Sequence, residues 1–266
     1  MNNLLIYPYP TYIPNRVVAG SVAGVACISL IAWFIQSCQL RFRPPRICIL
    51  LLISHLTIFL ELIVRAVVDP QEQNSKTVFT VLNSLFAIGQ RMIIVSNFAF
   101  VMEIHHEKSR RSRAILLGAI LCVVTSGILM APANMLSFNS DQIKTSFIFR
   151  ELSSSILLTV TLLFYPVWFW SKTINDMKIK AIILMSVSST MCIIVAAFNV
   201  AESTSDLYTG INDNEKWFYA FQMAPLIIAH FTWSICHPKR SLISLRTLIT
   251  KTNSHTTLIE EENIPF

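Results

Sequence analysis

Seven apolar stretches, each about as long as a membrane-spanning helix, dominate this sequence. A helix needs about 20 largely apolar residues to cross the hydrocarbon core of a bilayer. The stretches cover residues 17–38, 47–68, 78–102, 114–135, 148–170, 181–201 and 217–236. Only 14% of the residues are charged, against about a quarter in a typical soluble domain. We therefore predict an all-α polytopic membrane protein with seven transmembrane helices.

The apolar stretches leave no room for a separate soluble domain. We predict an extracellular segment over 1–16, a transmembrane domain over 17–238 and a cytoplasmic tail over 239–266. Residues 1–16 are rich in proline and lack the basic region and cleavage site of a signal peptide, so the first helix is expected to direct insertion. The phosphate-binding patterns GxxxxGK[ST] and GxGxxG do not occur, which excludes ATP-driven transport by this chain alone. In the tail, 241–252 has apolar residues at helical intervals, which suits either an interfacial helix or a flexible tail.

The basic residues predict the orientation of the chain in the membrane. Fourteen Lys and Arg lie in the segments after the first, third, fifth and seventh stretches. The opposite side carries four, which are Arg16, Lys76, Lys144 and Lys216. Because basic loops remain in the cytoplasm, the N-terminus is expected outside and the C-terminus inside. The net charge of +6 then reflects loops beside an anionic leaflet and predicts no nucleic-acid partner.

Several charged residues fall inside the predicted helices, where a charge is costly unless it faces a cavity or a partner. Glu61 and Arg65 are one turn apart on the second helix, in the order that favours an ion pair within the helix. Arg91 lies near the middle of the third helix, and Glu61 is its first candidate partner. Arg150 and Glu151 open the fifth helix, where we expect their side chains to snorkel to the surface.

The helical rise of about 1.5 Å per residue places most of the intramembrane polar groups at a similar depth in the membrane. The residues at this depth are Glu61, Arg65, Asn199, Glu202, Tyr219 and Gln222. We predict that they line a polar vestibule open to the outside, with Arg91 at its floor. Ser153, Ser154, Ser155 and Thr159 belong to the same region, although packing between helices is the favoured role for them.

The predicted outer loop over 202–216 is acidic. It contains Glu202, Asp206, Asp213 and Glu215 against a single Lys216. This charge is expected to attract a cationic amphiphile to the mouth of the vestibule. The alternative is a solvated loop whose acids only keep it outside.

Two other classes of seven-helix protein fit the sequence less well. A receptor of the common type would have an arginine beside Glu103 at the end of the third helix and an NPxxY-like ending of the seventh, and both are missing. A retinal protein needs a lysine in the middle of the seventh helix, whereas Lys216 lies only at its start.

Histidines lie in the predicted helices, which raises the alternative of a zinc-dependent membrane hydrolase. His230 and His237 are separated by about 10 Å along a helix axis, too far to share one ion, and no HxxxH pattern occurs. For His55 and His230 we favour hydrogen bonds to neighbouring helices. We therefore predict no metal, no cofactor, no catalytic residue and no enzymatic activity.

The end of the sixth helix and the seventh helix resemble the fungal lipid-translocating exporter family, seven-helix proteins linked to aminocholesterol resistance, sphingoid-base release and porphyrin uptake. Glu202 and Glu215 keep the interval between that family's two glutamates. Tyr219 and Pro225 take the places of its tyrosine and proline, and His237-Pro238 closes the helix as in the family. The opening Tyr12-Ile13-Pro14-Asn15 is similar to the family's Tyr-x-Pro-Ser, and Glu61 takes the place of its span-two glutamate.

The chain departs from this pattern at charged positions of the vestibule. Asn199 stands where the family has an arginine, and Gln222 stands where it has an aspartate. The resemblance implies a divergent member in a fungal membrane, expected to be the plasma membrane, with an endomembrane left open. It implies a translocator of an amphipathic lipid-like molecule such as a sphingoid base or a sterol-like amine, which supports tolerance to lipids or toxic compounds. A receptor or sensor of a lipid is the alternative, and an intramembrane lipid hydrolase is the third.

Overall fold

The computed structural model of the chain is all-helical. It describes residues 12, 14–73, 75–104, 110–175, 177–211 and 213–242. The described residues contain no strand. Most of the predicted extracellular segment and cytoplasmic tail, including 243–252 of the amphipathic stretch, lie outside the described residues.

Six helices are long and apolar enough to cross a membrane, which indicates an integral membrane protein. They are α1 (Arg16–Gln39), α2 (Pro45–Val67), α3 (Lys76–Ile104), α4 (Arg110–Leu136), α5 (Ile143–Asn175) and α6 (Ile179–Ser203). Each contains one of the first six predicted stretches almost completely, so these helix predictions are confirmed. Large apolar side chains such as Ile28, Leu121 and Leu163 remain exposed on them, as expected for helices surrounded by lipid.

The seventh predicted helix is present as three consecutive segments, here together called α7. They are Glu215–Phe218, a π-helical turn over Tyr219–Met223, and Ala224–Ile235. Pro225 accounts for the break because it has no N–H to donate to the carbonyl of Phe221 and its ring crowds that carbonyl. A π-helical turn widens the backbone at such a point. Pro132 and Pro166 lie inside α4 and α5 without ending them, as membrane helices allow.

Short helices cover Pro70–Gln73, Ser205–Ile211 and Pro238–Leu242, and a 3₁₀ turn covers Ser140–Gln142. The first two connect long helices at the end of the bundle where α1 begins. We call this the N-terminal end; it is the end that the basic residues predict to face outside.

α3 lies at the centre of the bundle, where it packs against α2, α4, α5 and α6. Nearly every residue from Gly89 to Val101 is buried. At Gly89 an added Cβ atom would lie 2.7 Å from the side chain of Ile58, so glycine lets α2 and α3 approach closely. α7 packs between α1 and α6 and closes the bundle. This arrangement leaves a gap beside the less buried first half of α3, where the candidate site lies.

Candidate functional site

A cavity of about 120 Å³ lies at the N-terminal end of the bundle, between α3, α5, α6 and α7. Its polar lining includes Arg65, Gln90, Arg91, Arg150, Asn199, Glu202 and Gln222. Apolar groups, among them Phe86, Leu157 and Phe218, complete the wall. The cavity is therefore a polar space inside an otherwise apolar bundle.

Eight residues were predicted for the vestibule and its mouth, and five of them line this cavity, namely Arg65, Arg91, Asn199, Glu202 and Gln222. Three do not. Glu61 is fully buried behind Arg65, and Glu215 lies near the start of α1. Tyr219 is half-buried and packs its ring against Phe218, with 5.1 Å between the ring centroids.

Amide side chains connect three helices across the cavity. Asn199 of α6 donates from Nδ2 to Oε1 of Gln90 in α3 over 2.8 Å. Gln222 of α7 donates from Nε2 to Oδ1 of Asn199 over 3.0 Å and to Oε2 of Glu202 over 2.6 Å. Gln222 thus lies between a carboxylate and an amide oxygen, and it holds α6 against α7. Gln90 was not among the predicted site residues, although it is adjacent to Arg91 in the sequence.

Glu61 and Arg65 form the predicted ion pair within α2. The guanidinium of Arg65 also lies over the ring of Phe218, 4.1 Å from its centroid. This cation–π contact links α2 to α7. The pair leaves the polar end of Arg65 at the cavity wall, with its charge balanced by Glu61.

The prediction that Arg91 pairs with Glu61 is wrong. Arg91 donates from Nη1 to the carbonyl of Ala87 over 3.0 Å. Its Nη2 donates to Oγ of Ser126 over 2.8 Å and to Oγ of Ser153 over 3.2 Å. Glu61 contacts Arg65 on its own helix instead. The helix already holds these two side chains close together, one turn apart. Arg91 therefore has neutral partners from α3, α4 and α5.

Arg150 corrects a second prediction, because its side chain does not snorkel to the surface. It is only 8% exposed, and it donates from Nη2 to Oδ1 of Asn134 over 3.1 Å. The fifth helix begins seven residues earlier, at Ile143. About two helical turns therefore precede Arg150, and its side chain lies inside the bundle at the cavity wall.

The serines of α5 act as contacts between helices and also border the cavity. Ser153 donates to the backbone carbonyl of Ser126 in α4 over 2.7 Å. Ser154 donates to Oγ of Ser203 in α6 over 3.0 Å. Thr159 bonds only the carbonyl of Ser155, one turn back. Ser153 and Ser154 thus pack neighbouring helices together, as favoured from the sequence, whereas Thr159 is exposed and bonds within its own helix.

Residues just before α1 cover part of the cavity, which the sequence did not predict. Tyr12 and Pro14 line it. The backbone N–H of Asn15 donates to the Glu215 carboxylate over 3.0 Å, and Arg16 donates to the carbonyls of Ala66 and Val67 at the end of α2. Burial raises the pKa of Tyr12 to about 12, so its phenol stays neutral. Glu215 holds this segment in place.

Two histidines bond neighbouring helices, as predicted. Nε2 of His230 lies 2.8 Å from Oγ of Ser54 in α2. Nε2 of His55 lies 3.3 Å from Oγ of Ser29 in α1. The part of the chain that the structure describes contains no cluster of three side chains suited to hold a metal ion.

His237 follows α7 at the opposite end of the bundle. Its Nε2 lies 3.3 Å from Oγ of Ser37, and its ring stacks on Trp33 with 4.9 Å between the centroids. Burial and the nearby charges of Arg240 and Lys239 lower its pKa to about 4. The neutral imidazole thus serves to pack α7 against α1.

Comparison with known proteins adds no relative to these observations. No protein-family model matches the chain, and no curated protein or solved structure matches it either. The resemblance to the fungal lipid-translocating exporters therefore stays a prediction, and the geometry of the cavity is the basis for the proposed function.

Proposed function

We propose that this protein moves an amphipathic, lipid-like molecule between the leaflets of a membrane or out of the cell. The observation that carries this proposal is a buried polar cavity at one end of an apolar bundle. A volume of about 120 Å³ holds several water molecules, since one ordered water needs about 10–15 Å³ of such space. Such a space suits a compact polar head group, while the apolar chain remains outside it in the lipid.

The other half of the bundle supports this one-sided arrangement. Phe98 packs on Phe164, with 5.3 Å between the ring centroids, and Phe100 packs on Trp233 at 5.5 Å. These side chains are buried and fill the space below the cavity. An open aqueous pore is therefore not the function that we propose, and a head group would bind at one leaflet at a time.

We also propose that the cavity faces the outside of the cell. With the N-terminus outside, the cavity opens toward the outer leaflet, where a translocator would release a molecule or take it up. The resemblance stated above adds the fungal plasma membrane as the proposed location. We propose no chemical step and no cofactor.

Transfer of a fluorescent lipid in proteoliposomes tests this function. The probe is a sphingoid base or a phospholipid that carries a nitrobenzoxadiazole group, and dithionite bleaches only the probe in the outer leaflet. We expect vesicles with the protein to lose the inner-leaflet signal several-fold faster than vesicles without it. Equal rates would overturn the transport proposal, and probe binding without transfer would favour the receptor alternative.

A further inference from the structure

A second concavity lies between α3 and α4, on the side of the bundle that faces lipid. We call it the lateral groove. It has a volume of about 480 Å³ and includes Lys76, Ala87 and Arg91 of α3 together with Gly127, Met130 and Ala131 of α4. Ala131 is exposed to the surroundings of the bundle. The lateral groove is therefore open to the bilayer and mostly apolar.

The polar cavity at the N-terminal end, from here on called the central cavity, shares one wall with the lateral groove. Asn83, Ala87, Arg91 and Met130 border both spaces. Gly127 lies directly beside Arg91, since an added Cβ atom there would be in van der Waals contact with its Nε at 3.6 Å. A molecule in the lateral groove thus lies beside the polar groups of the cavity without leaving the bilayer.

Two buried donors in this wall have no acceptor. Nε of Arg91 and Nδ2 of Asn83 lack a hydrogen-bond partner among the described residues. Arg91 is only 7% exposed, and its bonds go to two serine hydroxyls and a backbone carbonyl. A guanidinium near the middle of the bilayer is expensive to hold without an anion. No acidic side chain of the described residues forms an ion pair with Arg91.

The other charges of the cavity do not supply this anion. Three arginines and one glutamate line it, and Glu61 is already paired with Arg65. Glu202, the acidic residue of the lining, accepts a hydrogen bond from Gln222. The wall around Arg91 therefore favours an acidic head group, in contrast to the cationic amphiphile suggested by the acidic outer loop.

We propose that the lateral groove binds a membrane lipid with an acidic head group. A phosphate or carboxylate oxygen accepts hydrogen bonds from Arg91, and the acyl chain lies in the groove and continues into the bilayer. Lys76 lies at the other end of the same α3 stripe, about 22 Å away by the helical rise, where it adds positive charge. This inference rests on the proposed function, since it names the chemical class of the lipid that is moved.

Lipid selectivity measured with spin-labelled lipids tests the proposal. The full-length protein is reconstituted in phosphatidylcholine vesicles with spin-labelled phosphatidic acid, phosphatidylcholine or sphingosine. The immobilised fraction of the label then reports association with the protein surface. We expect the wild type to prefer phosphatidic acid over phosphatidylcholine several-fold. Arg91→Gln should abolish this preference, whereas Arg91→Lys should keep part of it.

Three further variants separate the groove from general surface charge. Ala131→Phe fills the lateral groove and leaves Arg91 intact, so it should lower phosphatidic acid binding. Gly118→Phe places the same side chain on an exposed part of α4 where no atom lies within 4 Å of an added Cβ, and it should change nothing. Lys144→Gln removes a cation of the N-terminal end that does not line the groove, and it should also leave the preference unchanged.

The outcomes distinguish this inference from the transport proposal. Equal immobilisation of all three lipids, or the same loss in Lys144→Gln as in Arg91→Gln, would overturn the acidic-lipid site. Full competition by inorganic phosphate would also overturn it, because the occupant would then be a free anion. Selective binding of phosphatidic acid without any transfer between leaflets would keep the site and remove the transport function.

Discussion

At the scale of single residues, Arg65 and Arg91 have partners of different kinds. Arg65 has a carboxylate one turn away on its own helix, which the sequence spacing predicts. Arg91 has only neutral partners, and two of them come from α4 and α5. Those partners depend on how three helices are rotated about their axes, which the sequence alone does not specify. The charge pair within one helix was therefore predictable, whereas the helices that supply the partners of Arg91 were not.

The Glu61–Arg65 pair leads to a prediction about stability. Removing one partner of a buried ion pair leaves the other charge uncompensated, at a cost of about 3–5 kcal/mol. We expect Glu61→Gln and Arg65→Gln each to lower the free energy of unfolding by an amount of this order. The double variant should lose less than the sum of the two. An SDS titration in mixed micelles measures the three values, and strictly additive losses would show that the pair has no coupling energy.

Gln222 leads to a second prediction at this scale. Gln222→Leu removes the donor to Glu202 and Asn199 and leaves two polar groups unsatisfied, at about 1–3 kcal/mol. We therefore expect a lower unfolding temperature of the detergent-solubilised protein. Ile228→Leu is the control, because Ile228 is 46% exposed on the lipid-facing side of the same helix. If both variants unfold at the wild-type temperature, the amide network does not stabilise the contact between α6 and α7.

At the scale of helices, apolar length was a sufficient guide to six of the seven predicted spans. Eleven of the twelve ends lie one to five residues beyond the predicted ones, because polar residues at the interface continue the helical backbone, and the end of α2 at Val67 lies one residue short. The larger difference is in α7, where Pro225 separates a π-helical turn from the rest. Proline predicts an irregularity at this point, but not which kind of turn accommodates it. We propose that α7 also spans the membrane, because its three pieces together are about as long as the other predicted spans.

The close approach of α2 and α3 at Gly89 can be tested by one substitution. Gly89→Ala would place Cβ 2.7 Å from Ile58 and 2.9 Å from Oγ1 of Thr57. Such overpacking typically costs about 1–3 kcal/mol. We expect a clear drop in the unfolding temperature, measured by tryptophan fluorescence.

Gly24→Ala is the matched control for this change, because no atom lies within 4 Å of an added Cβ there. It should leave the unfolding temperature at or slightly above the wild-type value. Equal behaviour of the two variants would mean that α2 and α3 separate readily, which would weaken the assignment of α3 as the central helix.

At the scale of the whole molecule, the orientation of the bundle decides what the cavity does. The excess of basic residues at one end predicts that the cavity faces outside. A tag after residue 266 should be protected from external protease in intact cells, while a tag before residue 1 should be cleaved. The reverse pattern would place the cavity at the cytoplasmic face, and the proposed direction of lipid movement would then be wrong.

The sequence predicted the depth of the polar groups but not the spaces between them. Depth follows from residue number and helical rise, so a polar region at the N-terminal end was predictable. The lateral groove was not, because it depends on which residues of α4 face α3, such as the small Gly127 and the flexible Met130. The cover formed by Tyr12 and Pro14 was missed for a similar reason, since no local pattern relates Asn15 to Glu215, 200 residues away.

The central claim is that lipid transfer depends on the polar cavity, and Ala87 offers the most direct test. Ala87 borders both the central cavity and the lateral groove, so Ala87→Phe fills the wall that they share. Val81→Phe adds the same ring to an exposed position of the same helix. The measurement is the rate of fluorescent-lipid transfer between leaflets at matched protein content. We predict that Ala87→Phe falls to the rate of protein-free vesicles while Val81→Phe keeps the wild-type rate; wild-type transfer by a folded Ala87→Phe protein would contradict the account.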